Sequence, residues 1–350
     1  MYGVIDIGSN TIRLNIYKVE DGMPSVLLSK KDATGLASYV RHGRMSPDGI
    51  ERAVLVLLDF KVLLDEFNIE GFAFATAALR NIDNSMEAID ELSKRTGISI
   101  VLLPGETEAE LDFLGITCSV SLNSGLMVDI GGASTELVIY KGHAIHKTFS
   151  MPIGSLNMYN RYVQHLIPGR TERRNIKQAV LNCLTQDEDF RKNTWQNIPG
   201  MCGVGGTIRA ACRLNNELFD LPADTQEINA PNIKKIIKLL ENDEEDDLVS
   251  IDTLEVLLRT VPDRVRTVLP GLIILHTLIK YFGIKTIHVS STGVREGYLC
   301  RQLQTGLAPA AQTVSPAEPA LPDSAAASPA DAQTQSSNHA EDVSNHADTN

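Results

Sequence analysis

"IDIGSNTIRLNIYK", residues 5–18, and "VDIGGASTELVIYK", residues 128–141, are two versions of one phrase. An offset of 123 positions lays Asp6 on Asp129, Gly8 on Gly131, Thr11 on Ser134 and Leu14 on Leu137. It continues through Ile16 on Ile139, Tyr17 on Tyr140 and Lys18 on Lys141. That spacing is too long for a solenoid unit and suits a duplicated domain. Within each copy an apolar strand delivers an aspartate, a tight Gly/Ser/Thr turn follows, and a second strand leaves. Glycine lets the turn approach a ligand without a Cβ in the way. Successive N–H groups in such a turn form a concave anion site, to which Ser or Thr hydroxyls add donors. One D-x-G turn is often only a hairpin; two in register point to a site built twice.

The chain has 350 residues, 43% of them apolar and 22% charged, an ordinary globular balance with room for two domains. No apolar run approaches the ~20 residues of a membrane span, and Asp6 breaks up the first hydrophobic stretch, so a cytoplasmic enzyme is expected. The five cysteines form no C-x-x-C pair and the eight histidines no metal spacing, so any metal should be a hard cation held by carboxylates. The net charge of −12 speaks against an anionic partner only superficially. Six of those negative charges follow Arg301, whereas residues 161–213 carry nine Lys/Arg against four Asp/Glu. Screening over about 8 Å makes a ligand feel its local lining rather than the sum.

Strand and helix signals alternate through residue 119, then a second cycle opens at 125–131 and gives way to helices and a last strand, "TIHVS". The expected domains are 1–121, 122–305 with extra helices, and a disordered Ala/Pro/Ser-rich tail over 306–350. "ENDEEDD", 241–247, reads as a solvated connection. A third glycine turn, "CGVGGTIRAA", 202–211, follows a short apolar strand and opens a helix. Gly205, Gly206 and Thr207 would then sit at a helix N-terminus, which attracts anions, although an ordinary capped loop has the same appearance.

These motifs, together with "ATAALRN", "LPGETEAEL", "LPGLIIL" and "VSSTGVREG", resemble in order those of exopolyphosphatases and guanosine pentaphosphate phosphohydrolases over about residues 1–304. The resemblance implies an α/β fold of the actin, sugar-kinase and chaperone superfamily: two duplicated ribonuclease-H-like domains facing a central cleft. The longer members append a C-terminal hydrolase-like domain, and this sequence looks like the short, two-domain form. The implied activity is hydrolysis of terminal phosphoanhydride bonds of inorganic polyphosphate, with guanosine pentaphosphate as a second candidate substrate. The rivals are a non-catalytic polyphosphate or alarmone sensor and an ATP-dependent enzyme of the same superfamily. Neither membrane nor nucleic acid is expected as a partner, and a homodimer is left open.

Phosphoanhydride hydrolysis needs a positioned water, a group to orient or deprotonate it, and cations for the phosphoryl oxygens. Glu106, Glu108 and Glu110 open one helix, where acids are also favoured simply by the dipole. The resemblance singles out Glu108 as the catalytic acid that activates water. It places Gly8, Ser9, Asn10 and Thr11 of the first loop on phosphate, with Gly131, Gly132, Ala133 and Ser134 of the second. Arg80 joins them, and a guanidinium suits phosphate bidentately. Asp129 and Glu136 align around a Mg²⁺ ion and the terminal phosphate, and Asp6 follows through the repeat. Arg264, Arg295 and Glu296 are expected as structural supports. Two departures from the family pattern are Ala133, where a third glycine is usual, and Glu110, where an arginine is usual. Arg170, Arg173, Arg174 and Lys177 are expected to supply part of a wall for a long polyanion.

Overall fold

In the computed structural model, which describes residues 1–118, 123–192, 195, 198, 200–241 and 250–306, both phrases fold into the same hairpin. The first half runs β1 (Tyr2–Ile7), β2 (Ile12–Glu20), β3 (Met23–Asp32), the small pair β4 (Val40–Arg41) and β5 (Arg44–Met45), then α1 (Pro47–Glu66) and β6 (Glu70–Ala75). It continues through α2 (Ala77–Arg80), α3 (Ser85–Thr96), β7 (Ile100–Leu102) and α4 (Gly105–Thr117). The second half runs β8 (Ser124–Ile130), β9 (Thr135–Lys141), β10 (Ala144–Met151), α5 (Ser155–Tyr162), α6 (Arg170–Gln186), α7 (Glu188–Arg191), β11 (Met201–Val204) and α8 (Gly205–Leu218). It ends with β12 (Glu227–Asn229), α9 (Ala230–Leu240), α10 (Ile251–Thr260), α11 (Val268–Phe282), β13 (Thr286–Val289) and α12 (Val294–Thr305).

The two sheets repeat one plan. The first has the order β3-β2-β1-β6-β7 and the second β10-β9-β8-β11-β13-β12. Each begins with a three-stranded antiparallel meander and then adds two parallel strands beside the first strand through helical crossovers; in the second sheet β12 then pairs antiparallel with β13 at the edge. The register reproduces the alignment of the two phrases: Asp6 lies opposite Arg13, and Asp129 opposite Glu136. The aspartates therefore end equivalent strands at equivalent heights.

Helix α1 shows why these segments settle as they do. Ser46 caps it by accepting from Gly49 N at 3.3 Å, Pro47 starts it, and Ala53, Val54, Leu57, Phe60 and Leu64 make its buried stripe. That stripe packs on Ile5, Ile7 and Leu14 of the first sheet. In the second half α11 is apolar nearly all round and is buried accordingly among α5, α6, α8 and α9. The remaining faces of the two sheets share cover. Helix α12 and Leu111 of α4 pack on Val4, Tyr17 and Phe74, whereas Ala109, Phe113 and Ile116 of α4 pack on Met127, Val138 and Tyr140. So α4 touches both sheets, and α12 leaves the second half to close the back of the first. Glycines make this crossing tight: a Cβ at Gly115 would strike the Gly293 carbonyl, and one at Gly297 the Leu111 carbonyl.

Among the described residues no helix is long and apolar enough to cross a membrane. The expected disorder of 306–350 and the connection at 241–247 fall, apart from Gly306 and Glu241, outside the described residues.

Candidate active site

Both hairpin turns close with the same bond. Gly8 N donates to Thr11 O at 3.1 Å, and Gly131 N donates to Ser134 O at 2.9 Å. The turns face one another closely, since a Cβ on Gly132 would lie 2.9 Å from that of Ser9. The third turn joins them from the end of β11. Gly205 has φ +81, and a Cβ there would collide with Asp129 Oδ1, so only glycine brings the start of α8 against that carboxylate. One cleft is lined by all eight residues of the two hairpin turns, Gly8–Thr11 and Gly131–Ser134, together with Gly205 and Gly206. Thr207 turns inward against Gly271, and its hydroxyl has no partner among the described residues.

Four carboxylates reach this cleft: Asp6, Glu108, Asp112 and Asp129. Asp6 is neutralised, its Oδ2 accepting from Arg295 Nη1 at 2.8 Å. Glu108 accepts from Arg80 Nη1 at 2.7 Å, and that guanidine also donates to Leu103 O at 2.8 Å. Burial nevertheless pushes Glu108 up to about 7; Arg80 pulls it down, and Asp129 and Asp6 push it up further. Asp129 has no ion pair among the described residues, and burial raises it to about 6 against the opposing charge of Arg209. Asp112 is the extreme case. It is fully buried, neither oxygen has a hydrogen-bond partner among the described residues, and burial with its acidic neighbours raises its pKa strongly. The Val294 N–H favours its charged form without reaching hydrogen-bond geometry.

Four arginines complete the lining: Arg13, Arg209, Arg264 and Arg295. Arg295 is held by Asp6, which overcomes the cost of burial and keeps its pKa raised. The other three make no ion pair among the described residues. Burial, and then repulsion from Arg295, lowers the pKa of Arg13 and brings Arg209 to about 10. Burial lowers Arg264 as well. Half-buried guanidiniums with no ion pair among the described residues, repelling one another, make a site for an anion of high charge.

The structure thus gathers Asp6, Glu108 and Asp129 with the loop residues Gly8, Ser9, Asn10, Thr11, Gly131, Gly132, Ala133 and Ser134. Arg80 and Glu136 stand behind the lining. Glu136 is buried, accepts from Ser150 Oγ at 2.9 Å, and lies 3.6 Å from Arg80 Nη2. Burial, with Glu108 and Asp129 adding, raises its pKa well above the usual range. Arg80 therefore bridges two carboxylates from the two halves of the chain. Glu296 supports the frame, accepting from Tyr17 Oη and Gly293 N. Arg264 and Arg295, expected as supports, line the cleft itself. Glu110 does not: it pairs with Arg301 at 3.2 Å on the exposed side of α4, so its charge does not burden the cleft. Arg170, Arg174 and Lys177 are exposed on α6, while Arg173 is engaged by Glu241 at 3.4 Å and Pro168 O at 3.1 Å. None of these four lines the cleft.

Sequence reasoning passed over Asp112 and Arg209. Both were within reach of helical periodicity. Asp112 is one turn after Glu108 on α4, and Arg209 is one turn after Gly205 on α8.

A hard cation fits part of this donor set. Among the described residues no three of His, Cys, Asp and Glu converge to cage a metal. Mg²⁺ needs less, because it commonly takes one or two carboxylates and completes its shell with water and substrate phosphate. Asp129, half-buried and without an ion pair among the described residues, and Asp6, whose Oδ1 has no partner among them, supply such a pair.

Comparison with known proteins agrees with this geometry. A family model described as "Ppx/GppA phosphatase family" matches residues 15–306. The Exopolyphosphatase 1 of Mycobacterium tuberculosis is 24% identical, over 87% of this chain and 88% of its own. A guanosine-5'-triphosphate,3'-diphosphate pyrophosphatase of Vibrio cholerae is 27% identical over 87% of this chain, which spans 59% of that longer protein. Among solved structures, an exopolyphosphatase from Cytophaga hutchinsonii superposes with a TM-score of 0.74 at 25% identity, covering 87% of this chain and 98% of its own. The chain belongs to the Ppx/GppA phosphatase family.

Proposed function

We propose that this member of the Ppx/GppA phosphatase family hydrolyses the terminal phosphoanhydride bond of inorganic polyphosphate, and removes the 5'-terminal phosphate of guanosine pentaphosphate as a second activity. One observation carries the reading: a buried carboxylate poised near neutrality, Glu108, shares a cleft with two glycine turns and three guanidiniums that have no ion pair among the described residues. Neither a non-catalytic sensor nor an ATP-consuming enzyme gains support from the relatives.

The terminal phosphoryl group would sit between the turns at Gly8–Thr11 and Gly131–Ser134, taking N–H and hydroxyl donors from both. Arg13, Arg209 and Arg264 would neutralise its oxygens, and that neutralisation grows in value as charge spreads in the transition state. Glu108 would take the proton of the attacking water. A base with a pKa near the working pH is effective because it is substantially ionised and still basic enough to accept a proton. Arg80 is a positioning residue here: it fixes Glu108 through one nitrogen and the Leu103 carbonyl through the same group. Mg²⁺ held by Asp129 and Asp6 would supply further charge neutralisation at the phosphoryl oxygens. Ala133 contributes its N–H to the second turn as a glycine would, and its carbonyl is occupied by Asn157 Nδ2 at 2.9 Å.

The test is phosphate release from long polyphosphate and from guanosine pentaphosphate side by side, with Mg²⁺ and with chelator. Release from polyphosphate that requires the cation supports the proposal. ATP turnover outpacing both substrates would overturn it.

A further inference from the structure

We propose that Cys118 and Cys300 are a redox modification site, a dithiol that a small disulfide-class oxidant such as oxidised glutathione converts to a disulfide joining α4 to α12. Their sulfurs lie 3.4 Å apart although the residues are 182 positions apart in the chain. An S–S bond of about 2.05 Å requires the sulfurs to approach by roughly 1.4 Å, within the reach of a side-chain adjustment. The remaining cysteines, Cys183, Cys202 and Cys212, have no such neighbour among the described residues.

The two thiols are unequal in a way that orders the chemistry. Cys118 is partly exposed and donates to Leu114 O at 3.3 Å at the end of α4. Cys300 is buried on α12, and burial with its contact to Cys118 pushes its pKa up to about 12. Cys118 is thus the group that meets an oxidant first. Its thiolate attacks one sulfur of oxidised glutathione, forming a mixed disulfide and expelling one glutathione thiolate. Cys300, deprotonated as it reacts, then attacks the Cys118 sulfur and expels the second glutathione. Two protein thiols lose two electrons and two protons, and one glutathione disulfide becomes two thiols. Cysteine pairs of this kind in reducing compartments are generally transient and regulatory rather than structural.

The position gives the bond leverage over the cleft. Helix α4 carries Glu108 near its start, α12 carries Arg295 near its start, and α4 packs on both sheets. Their glycine crossing at Gly115 and Gly297 already brings backbone against backbone. A covalent tie about one turn beyond that crossing, three residues past Gly115 and three past Gly297, removes the remaining freedom between these helices. It should stabilise the fold, because it closes a long loop, and slow the cycle of substrate entry and phosphate release. The cross-link rests on the sulfur geometry alone; its effect on turnover rests on the hydrolase reading as well.

The experiment treats the full chain with oxidised glutathione. Titratable thiols should fall from five to three, and peptide mass spectrometry should find Cys118 bonded to Cys300. Melting temperature should rise by several degrees, polyphosphate turnover should fall several-fold, and a dithiol reductant should reverse both. Cys118→Ser should keep the reduced enzyme's activity and lose all of these responses, whereas Cys300→Ser should stop at a glutathione adduct on Cys118. A thiol count that stays at five, or glutathione adducts in the wild type with no Cys118–Cys300 peptide, would overturn the site whether or not polyphosphate is hydrolysed. A cross-linked protein with unaltered turnover would overturn the control of activity.

Discussion

The two hairpins that face the cleft share strand, turn and closing hydrogen bond, yet one register position separates them. Opposite Asp6 stands Arg13, and opposite Asp129 stands Glu136. The first copy is cationic around its aspartate, with Arg13 nearby and Arg295 in direct contact. In the second, burial raises the pKa values of both Asp129 and Glu136, with neighbouring carboxylates adding to each shift and Arg209 opposing it at Asp129. Duplication therefore preserved the backbone turn, while single side chains set a different partner across from each aspartate: a guanidinium in the first copy and a carboxylate in the second. Glu108, on the helix that touches both sheets, is where the halves meet.

The largest expected effect comes from that meeting point. Glu108→Gln should lower turnover by about 10²–10⁴-fold, because shape and Arg80 contact survive while the proton acceptor is lost. Polyphosphate binding, measured by titration calorimetry, should stay within a few-fold. Loss of binding in parallel with turnover would make Glu108 a structural residue.

Next in size are the cationic residues. A hydrogen bond to a charged group contributes about 1.5–3 kcal/mol, so Arg13→Ala or Arg209→Ala should reduce kcat/KM by about 10- to 100-fold. Both variants should fold at least as well as the wild type, since each removes a half-buried charge that has no ion pair among the described residues and is held at a cost by burial and repulsion. A large fall in melting temperature would mean that these arginines serve the frame.

The aspartates compare the two copies directly. Asp129→Asn should raise the Mg²⁺ needed for half-maximal rate by at least the roughly tenfold that loss of even an outer-shell partner costs. Asp6→Asn should shift that requirement less and lower melting temperature more, because it breaks the buried contact to Arg295. Equal Mg²⁺ curves for the two variants would erase the proposed difference between the copies.

The smallest effect concerns Asp112. Its folded pKa is raised above the unfolded value, so the fold is favoured fully at pH below the unfolded value and loses this contribution as pH rises through the folded one. Asp112→Asn should therefore flatten the decline of melting temperature on the alkaline side while leaving acidic values nearly unchanged. Parallel curves would show that Asp112 ionises at the same pH in the folded and the unfolded chain.

Much of this arrangement was legible in the sequence because the repeat constrains it. Strand ends, turn residues and the pairing of Asp6 with Asp129 follow from period and turn chemistry alone. The third strand of the second meander, β10, escaped notice: a register shift between Ile145 and Lys147 breaks its alternation, and its side chains are mostly half-exposed. The repeat itself carried the missing signal, because β3 occupies the same place in the first copy. The four-residue α2 is too short for any periodicity to register, yet it directs Arg80 at Glu108. What could not be read was which charges pair. Asp6 with Arg295, Glu108 with Arg80 and Glu110 with Arg301 join residues 28 to 289 positions apart, and only the folded chain brings them together.

The central claim is that Glu108 is the base of a phosphoanhydride hydrolase, and the pH dependence of kcat tests it most directly. With saturating polyphosphate and Mg²⁺, wild-type phosphate release should rise with pH along a limb whose apparent pKa lies at about 7, as the Glu108 carboxyl ionises. In Glu108→Gln the same limb should vanish and leave a low, flat profile. A variant that keeps the wild-type limb, or more than about a tenth of its rate, would contradict the assignment.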